Sequence, residues 1–156
     1  MDGLRQSAIQ RATQCRTFGI ILGTLGRQGN PAIVQRIIQA LQTAPLLAAT
    51  GGDDDKMRRR RHFVLLLSEI TPAKLQLLSA STDCWVQVAC PRLSVDWGHC
   101  LSSQPVLSPY ELFVCLEQTP WRESYPMDYY SATGGPWTNY YESNKEWQLL
   151  RQGCKK

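Results

Sequence analysis

Residues 18–31 read FGIILGTLGRQGNP. Phe18 to Leu22 form a short apolar run containing two adjacent isoleucines, the composition of a strand. Gly23, Gly26 and Gly29 then interrupt it. Asn30 followed by Pro31 is a helix start: the asparagine side chain can cap, and the fixed φ of proline suits the first helical position. Ile33, Val34, Ile37, Ile38 and Leu41 continue at three-and-four spacing and make one apolar helix face. The order is strand, glycine turn, helix, and such units assemble into parallel sheets with helical crossovers.

The same grammar recurs on both sides. Leu4, Ala8, Ile9, Ala12 and Cys15 predict an amphipathic helix over 4–16. HFVLLLSEI, residues 62–70, is apolar almost throughout, which predicts a strand covered on both faces. Thr71-Pro72 repeats the cap-plus-proline signal before Leu75, Leu77 and Leu78. CWVQVAC, residues 84–90, predicts a strand in the middle of the sheet. A turn region follows, in which His99 and Cys100 are expected to be structural loop residues. Pro105-Val106-Leu107 predicts a short fourth strand. Ser108-Pro109-Tyr110-Glu111 is a capping box that opens a helix carrying Leu112, Val114, Cys115 and Leu116.

The predicted fold is therefore a single α/β domain over residues 1–140. It has three layers, helix/sheet/helix, around a small, mainly parallel sheet of about four strands. Residues 43–61, TAPLLAATGGDDDKMRRRR, contain Gly51-Gly52, three aspartates and four arginines, and are expected to be a surface loop insertion. Residues 121–141 carry five tyrosines and two tryptophans among prolines and glycines. That segment is expected to wrap the domain surface, with 141–156 as a C-terminal tail. No internal repeat is present.

The chain has 156 residues and a net charge of +4, an excess no larger than the run Arg58 to Arg61 alone. One basic patch is indicated, and a general nucleic-acid surface is not. No apolar run approaches the roughly 20 residues of a membrane helix. The polar start MDGLRQSAIQRATQ lacks the apolar core of a secretory signal. A soluble, cytoplasmic protein is expected, so the six cysteines (Cys15, Cys84, Cys90, Cys100, Cys115 and Cys154) are expected to be free thiols. Their spacings match no zinc pattern.

Ligands of open α/β sheets bind beyond the carboxyl ends of the strands. Three segments fall there: the turn from Gly23 to Gly29, the Ser68-Glu69 end of the second strand, and Cys90. GTLGRQGNP is GxxGxxG, neither a dinucleotide fingerprint nor a P-loop. It could cradle an anion before a helix N-terminus, with Arg27 to pair a carboxylate, or be a tight turn only. Cys90, beside Pro91 and close to Arg92 and Asp96, could be core filler, a metal ligand or a nucleophile. His62 and His99 form no recognisable base for it, which argues against a cysteine hydrolase. Too few ligands cluster for zinc. One cysteine can still serve as one corner of an iron–sulfur cluster if other segments supply the rest.

The motifs ILGTLGRQGNP, LLLSEITPAKL, WVQVACPRLSVDWG, LSPYE, YPMDYY and GPWT, in this order, resemble the C-terminal part of the first subunits of the diphthamide synthases, the 2-(3-amino-3-carboxypropyl)histidine synthase family. The resemblance covers about residues 4–140. It implies a transferase for the first step of diphthamide biosynthesis, which moves a 3-amino-3-carboxypropyl group from S-adenosylmethionine to a histidine of translation elongation factor 2 by [4Fe–4S] radical chemistry. It implies three similar α/β domains per subunit, each giving one cluster cysteine; in this third domain that residue is Cys90. The implied partners are a second synthase subunit, an electron-donor protein and the elongation factor, with no membrane and no nucleic acid. Gly23, Gly26, Arg27, Gly29, Arg92 and Asp96 are candidates for contacting the cofactor. The other two cluster ligands would lie in domains before Met1, so this chain is not expected to be active by itself. A non-catalytic assembly module of the same family and a generic nucleotide-binding α/β domain are the alternatives.

Overall fold

The computed structural model describes residues 2–25, 29–44, 60–101, 103–131 and 134–141. Helix α1 spans Asp2–Thr13, β1 Thr17–Gly23, α2 Pro31–Thr43, β2 Arg61–Leu67, α3 Pro72–Leu77, β3 Cys84–Val88, α4 Arg92–Leu101, β4 Val106–Leu107 and α5 Pro109–Cys115. The strands form one sheet in the order β2-β1-β3-β4, with every pairing parallel. All four carboxyl ends therefore open on the same side.

The three proline-initiated helices start where the sequence places them. The Asn30 side chain accepts a hydrogen bond from the Ala32 amide, and the Thr71 side chain accepts one from Lys74. Ser108 and Glu111 close a complete capping box, each satisfying an amide of the other's residue. These caps fix the points at which the chain leaves the sheet.

The pleat divides the core. Phe18, Ile20, Val86, Val88 and Leu107 pack on one face against Ile9 of α1, Ile33 and Ile37 of α2, and Leu112 and Phe113 of α5. Ile21, Trp85 and Val106 pack on the other with Leu75 of α3 and Phe63, Leu65 and Leu67 of β2. Helix α4 lies beside α3 and β4. This is the expected three-layer arrangement. The aromatic segment also behaves as expected: Tyr129 and Trp137 join the first core cluster, with Trp121 and Tyr125 against it.

Four expectations need correction. The apolar run after His62 is an edge strand, and Val64 and Leu66 on its outer positions are 38% and 67% exposed. An apolar run signals strand but not its place in the sheet. The region after Cys90 is a helix, α4, so residues 99 and 100 are helical. In α1, Leu4 is 66% exposed and Arg5 takes the inward position, at 5%. Most of the expected 43–61 loop lies outside the described residues, as does the 142–156 tail. At the loop's end, however, Arg60 is buried and donates to the Ala44 carbonyl at 3.0 Å, while Arg61 begins β2. Two of the four arginines are thus part of the folded domain, because a guanidinium can be buried when carbonyls receive its hydrogens.

Candidate functional site

Strand β3 ends at Val88, α4 begins at Arg92, and Cys90 stands between them, half-buried, at the carboxyl end of the sheet. The Cys90 carbonyl accepts from the Leu93 amide at 3.0 Å and from the side-chain amide of Gln87 at 2.9 Å. The thiol is thus carried on a short, pinned connection between two regular elements.

The tip of β1 lies alongside. A Cβ on Gly23 would come within 2.7 Å of the Ala89 Cβ, and one on Gly29 would collide with the Gly23 carbonyl. Both glycines allow close backbone packing, Gly29 on Gly23 and Gly23 on the residue before Cys90. That packing supports the tight-turn reading of the glycines and sets Gly23 against Ala89, the residue before Cys90. Gly26 and Arg27 lie outside the described residues. Glu69, at the end of β2, forms a loose exposed pair with Lys74 at 3.9 Å. Arg92 and Asp96 pair with each other on α4 at 3.0 Å, with Arg92 73% exposed.

Residues that sequence reasoning passed over gather at the end of β4, the strand beside β3. Ser108, at the end of β4, shares a 2.6 Å hydrogen bond with the Tyr125 hydroxyl. Tyr129 is buried beside Ser108, whose hydroxyl acts to lower its pKa. Burial pushes Tyr129 well above the usual phenol range, with the charges of Glu111 and Cys90 acting in the same direction. YPMDYY gave no sequence signal for this, because tyrosines in an aromatic tail read first as packing.

The other described thiols differ from Cys90. Cys84 and Cys115 are buried in the core, and burial raises both, Cys115 to about 11. Cys15 is half-buried, donates to the Arg11 and Asp83 carbonyls at 3.5 Å, and has its pKa lowered, chiefly through its interaction with the neighbouring Cys84 thiol. Cys100 is exposed on α4. Among the described residues, no three His, Cys, Asp or Glu side chains are grouped to hold a metal ion. Alkylation follows thiolate and access. Iodoacetamide at mildly alkaline pH is expected to label Cys15, Cys90 and Cys100 in the folded chain and to spare Cys84 and Cys115 until it unfolds. Peptide mass mapping checks this, and rapid native labelling of Cys84 would contradict the packing.

None of the described helices is long and apolar enough to cross a membrane. Two crystal structures of Dph2 from Pyrococcus horikoshii, one with a 4Fe-4S cluster, match the fold. Their TM-scores are 0.59 and 0.60, at 25% identity, over 81% of this chain and 31% of theirs. In sequence, the chain is 46% identical over 140 residues to 2-(3-amino-3-carboxypropyl)histidine synthase subunit 1 of Dictyostelium discoideum, covering 90% of this chain and 26% of that protein. The Gallus gallus protein of the same name is 49% identical over 139 residues, covering 88% and 30%. The Homo sapiens one is 46% identical over 140 residues, covering 88% and 28%. The chain thus spans less than a third of these relatives. Residues 1–126 match the family model described as "Putative diphthamide synthesis protein". With four-fifths of its length in that match and a fold shared with Dph2, the chain belongs to the diphthamide synthesis protein family.

Proposed function

We propose that this chain is the third α/β domain, residues 1–140, of a first subunit of diphthamide synthase, and that Cys90 supplies one of three thiolates to a [4Fe–4S] cluster. The activity would be transfer of a 3-amino-3-carboxypropyl group from S-adenosylmethionine to a histidine of translation elongation factor 2, in the cytoplasm, with a second subunit and an electron-donor protein. The observation that carries the reading is the position of Cys90. It is a half-buried thiol on a pinned loop at the open end of a parallel sheet, where ligands of such sheets bind.

The residues present fit one corner of a cluster. Cys90 offers a thiolate at the strand tips, and no described neighbour completes a ligand set. The remaining thiolates would come from other domains, which accords with a chain under a third of its relatives' length. When bound, a [4Fe–4S] cluster supplies the electron that cleaves the sulfonium. The work left to this chain is positional. Cys90 would hold its corner, Gly23 and Gly29 pack the β1 tip against Ala89 beside it, and Tyr125 and Tyr129 lie near Ser108 at the end of β4. Gly26 and Arg27 are proposed, from their place in the sequence, to contact S-adenosylmethionine. Arg92 and Asp96, paired on α4, would steady the helix that follows Cys90.

The test replaces the matching segment of the Gallus gallus subunit with this chain, together with the second subunit. Iron and sulfide are reconstituted without oxygen. Cys90→Ala is expected to lower bound iron to background and to abolish the visible iron–sulfur absorption. An unchanged spectrum would remove Cys90 from the ligand set. The single thiol at this end of the described structure also favours a second reading, an assembly module without chemistry. Association with the second subunit, with no iron bound by the unsubstituted protein, would select that reading.

A further inference from the structure

Gln87 is fully buried in β3, the interior strand that carries Cys90, between the apolar residues Val86 and Val88. An amide at such a position is costly unless its hydrogen-bonding groups are used. Its Nε2 donates to two acceptors, the Cys90 carbonyl at 2.9 Å and the Ser94 hydroxyl at 2.8 Å. Because a carbonyl can only accept, the nitrogen must face Cys90, which sets the orientation of the amide. Its Oε1 is then buried without a hydrogen-bond partner among the described residues. A Leu or Met would fill the same space with no orphaned oxygen. What Gln87 adds is the pair of donor bonds, and both end on the connection that bears the thiol.

The local geometry shows what they do. Only Ala89, Cys90 and Pro91 separate β3 from α4. The Leu93 amide reaches the Cys90 carbonyl from the helix side, and Gln87 reaches it from the strand side. Ser94 is itself fully buried in the first turn of α4. The Gln87 amide therefore joins the strand, the Cys90 peptide and the helix start into one unit. Fixing that peptide fixes the direction in which the Cys90 Cα–Cβ bond leaves the strand tip.

We propose that Gln87 is a positioning residue that aims the Cys90 thiolate at its cluster corner, an inference that rests on the reading of Cys90 as a ligand. Partners that orient a metal ligand in this way typically contribute 10- to 100-fold in metal affinity, or about that range.

The experiment uses the same reconstituted two-subunit protein and compares Gln87→Met, Ser94→Ala and Cys90→Ala. Gln87→Met is expected to keep the cluster but to release iron to a chelator about 10- to 100-fold more readily. It should also alter the electron paramagnetic resonance line shape and shift the reduction potential. Ser94→Ala, which removes one of the two bonds with less disturbance, should move these readouts in the same direction. In the unreconstituted protein, Gln87→Met should change the alkylation rate of Cys90 while Cys84 and Cys115 stay protected, showing that the core is intact. If Cys90→Ala loses the cluster but Gln87→Met leaves the spectrum, potential and iron release unchanged, the inference falls and the ligand reading stands. If Cys90→Ala keeps the cluster, the ligand reading falls and the inference falls with it. If Gln87→Met unfolds the protein, Ser94→Ala decides: an unchanged spectrum and Cys90 alkylation rate overturn the inference.

Discussion

Arg5→Met is expected to destabilise the domain by about 3–5 kcal/mol, because it leaves Glu111 buried and without its counter-charge. The two side chains meet as a fork. Arg5 Nε reaches Glu111 Oε1 at 2.7 Å and Nη2 reaches Oε2 at 2.6 Å, with side-chain exposures of 7% and 0%. Arg5 also donates to the Val106 carbonyl on β4, the short strand at the sheet edge, at 2.7 Å. Glu111 accepts from the Ser108 amide at the start of α5. One ion pair thus ties α1, β4 and α5 together. Burial acts to lower the Arg5 pKa, yet the contacts with Glu111 leave it raised overall. Glu111→Gln keeps the shape and strands the arginine instead, and a loss of the same order is expected. Urea unfolding followed by tryptophan fluorescence measures both. A loss below about 1 kcal/mol would mean the pair behaves as a solvated one.

Gly98 sharpens the prediction. It sits inside α4, where replacement by Ala ordinarily gains about 1 kcal/mol in helix propensity. Here an added Cβ would lie 2.7 Å from Arg5 Nη1 and 3.4 Å from the Val106 carbonyl. The guanidinium cannot yield easily, since Glu111 and Val106 hold it. Gly98→Ala is therefore expected to destabilise the native sequence. In the Arg5→Met background it should cost less or become stabilising. Additive effects would show that the glycine is not there for the arginine.

That glycine also explains why α4 is illegible in the sequence. The residues after Cys90 include Pro91 and an interior Gly98, which locally argue for a turn. The glycine stands there because its close approach to Arg5 tolerates no side chain, and no local pattern encodes a contact between residues 5 and 98. By contrast, α2, α3 and α5 begin at Asn30-Pro31, Thr71-Pro72 and Ser108-Pro109, where the cap and the ring constraint act within a few residues. The order of the strands is the same kind of problem. The apolar runs around Leu65 and Val86 look alike, yet one lies at an edge and the other inside. At the site, Cys90 was legible as a strand-end thiol because proline and the end of an apolar run mark it. Gln87 and Tyr129 were not, since a lone amide in a strand and a tyrosine in an aromatic tail acquire meaning only from what they face.

Trp137→Ala is expected to cost about 3–5 kcal/mol and to release the aromatic segment from the domain. The indole is 1% exposed and meets Tyr110 of α5 edge-on at 5.0 Å between centroids, with Phe113 at 6.5 Å and the Arg122 guanidinium over its ring at 5.1 Å. Gly135 lies against the ring so closely that any Cβ there would collide with it. Tyr110 in turn gathers Trp121 and Tyr125, and its hydroxyl accepts from the Arg122 amide at 2.7 Å. The truncation leaves a cavity with this cluster on its walls. The Trp137 Nε1 hydrogen has no partner among the described residues, so the loss also removes a buried unsatisfied donor and belongs at the lower end of the range. Trp137→Phe removes the same donor with a smaller cavity and is expected to cost less. The consequence reaches the site through the backbone. The Tyr129 carbonyl accepts from the Asn139 amide at 2.7 Å, and the Asn139 side chain accepts from Asn30, the cap of α2. With Trp137 gone, those bonds lose the packing that holds them, and Tyr129 moves off the end of the sheet. Hydrogen exchange over 121–141 should therefore accelerate together with Cys90 alkylation. Faster exchange confined to 134–141, with Cys90 unaffected, would show that the segment is an independent strap and not a wall of the site.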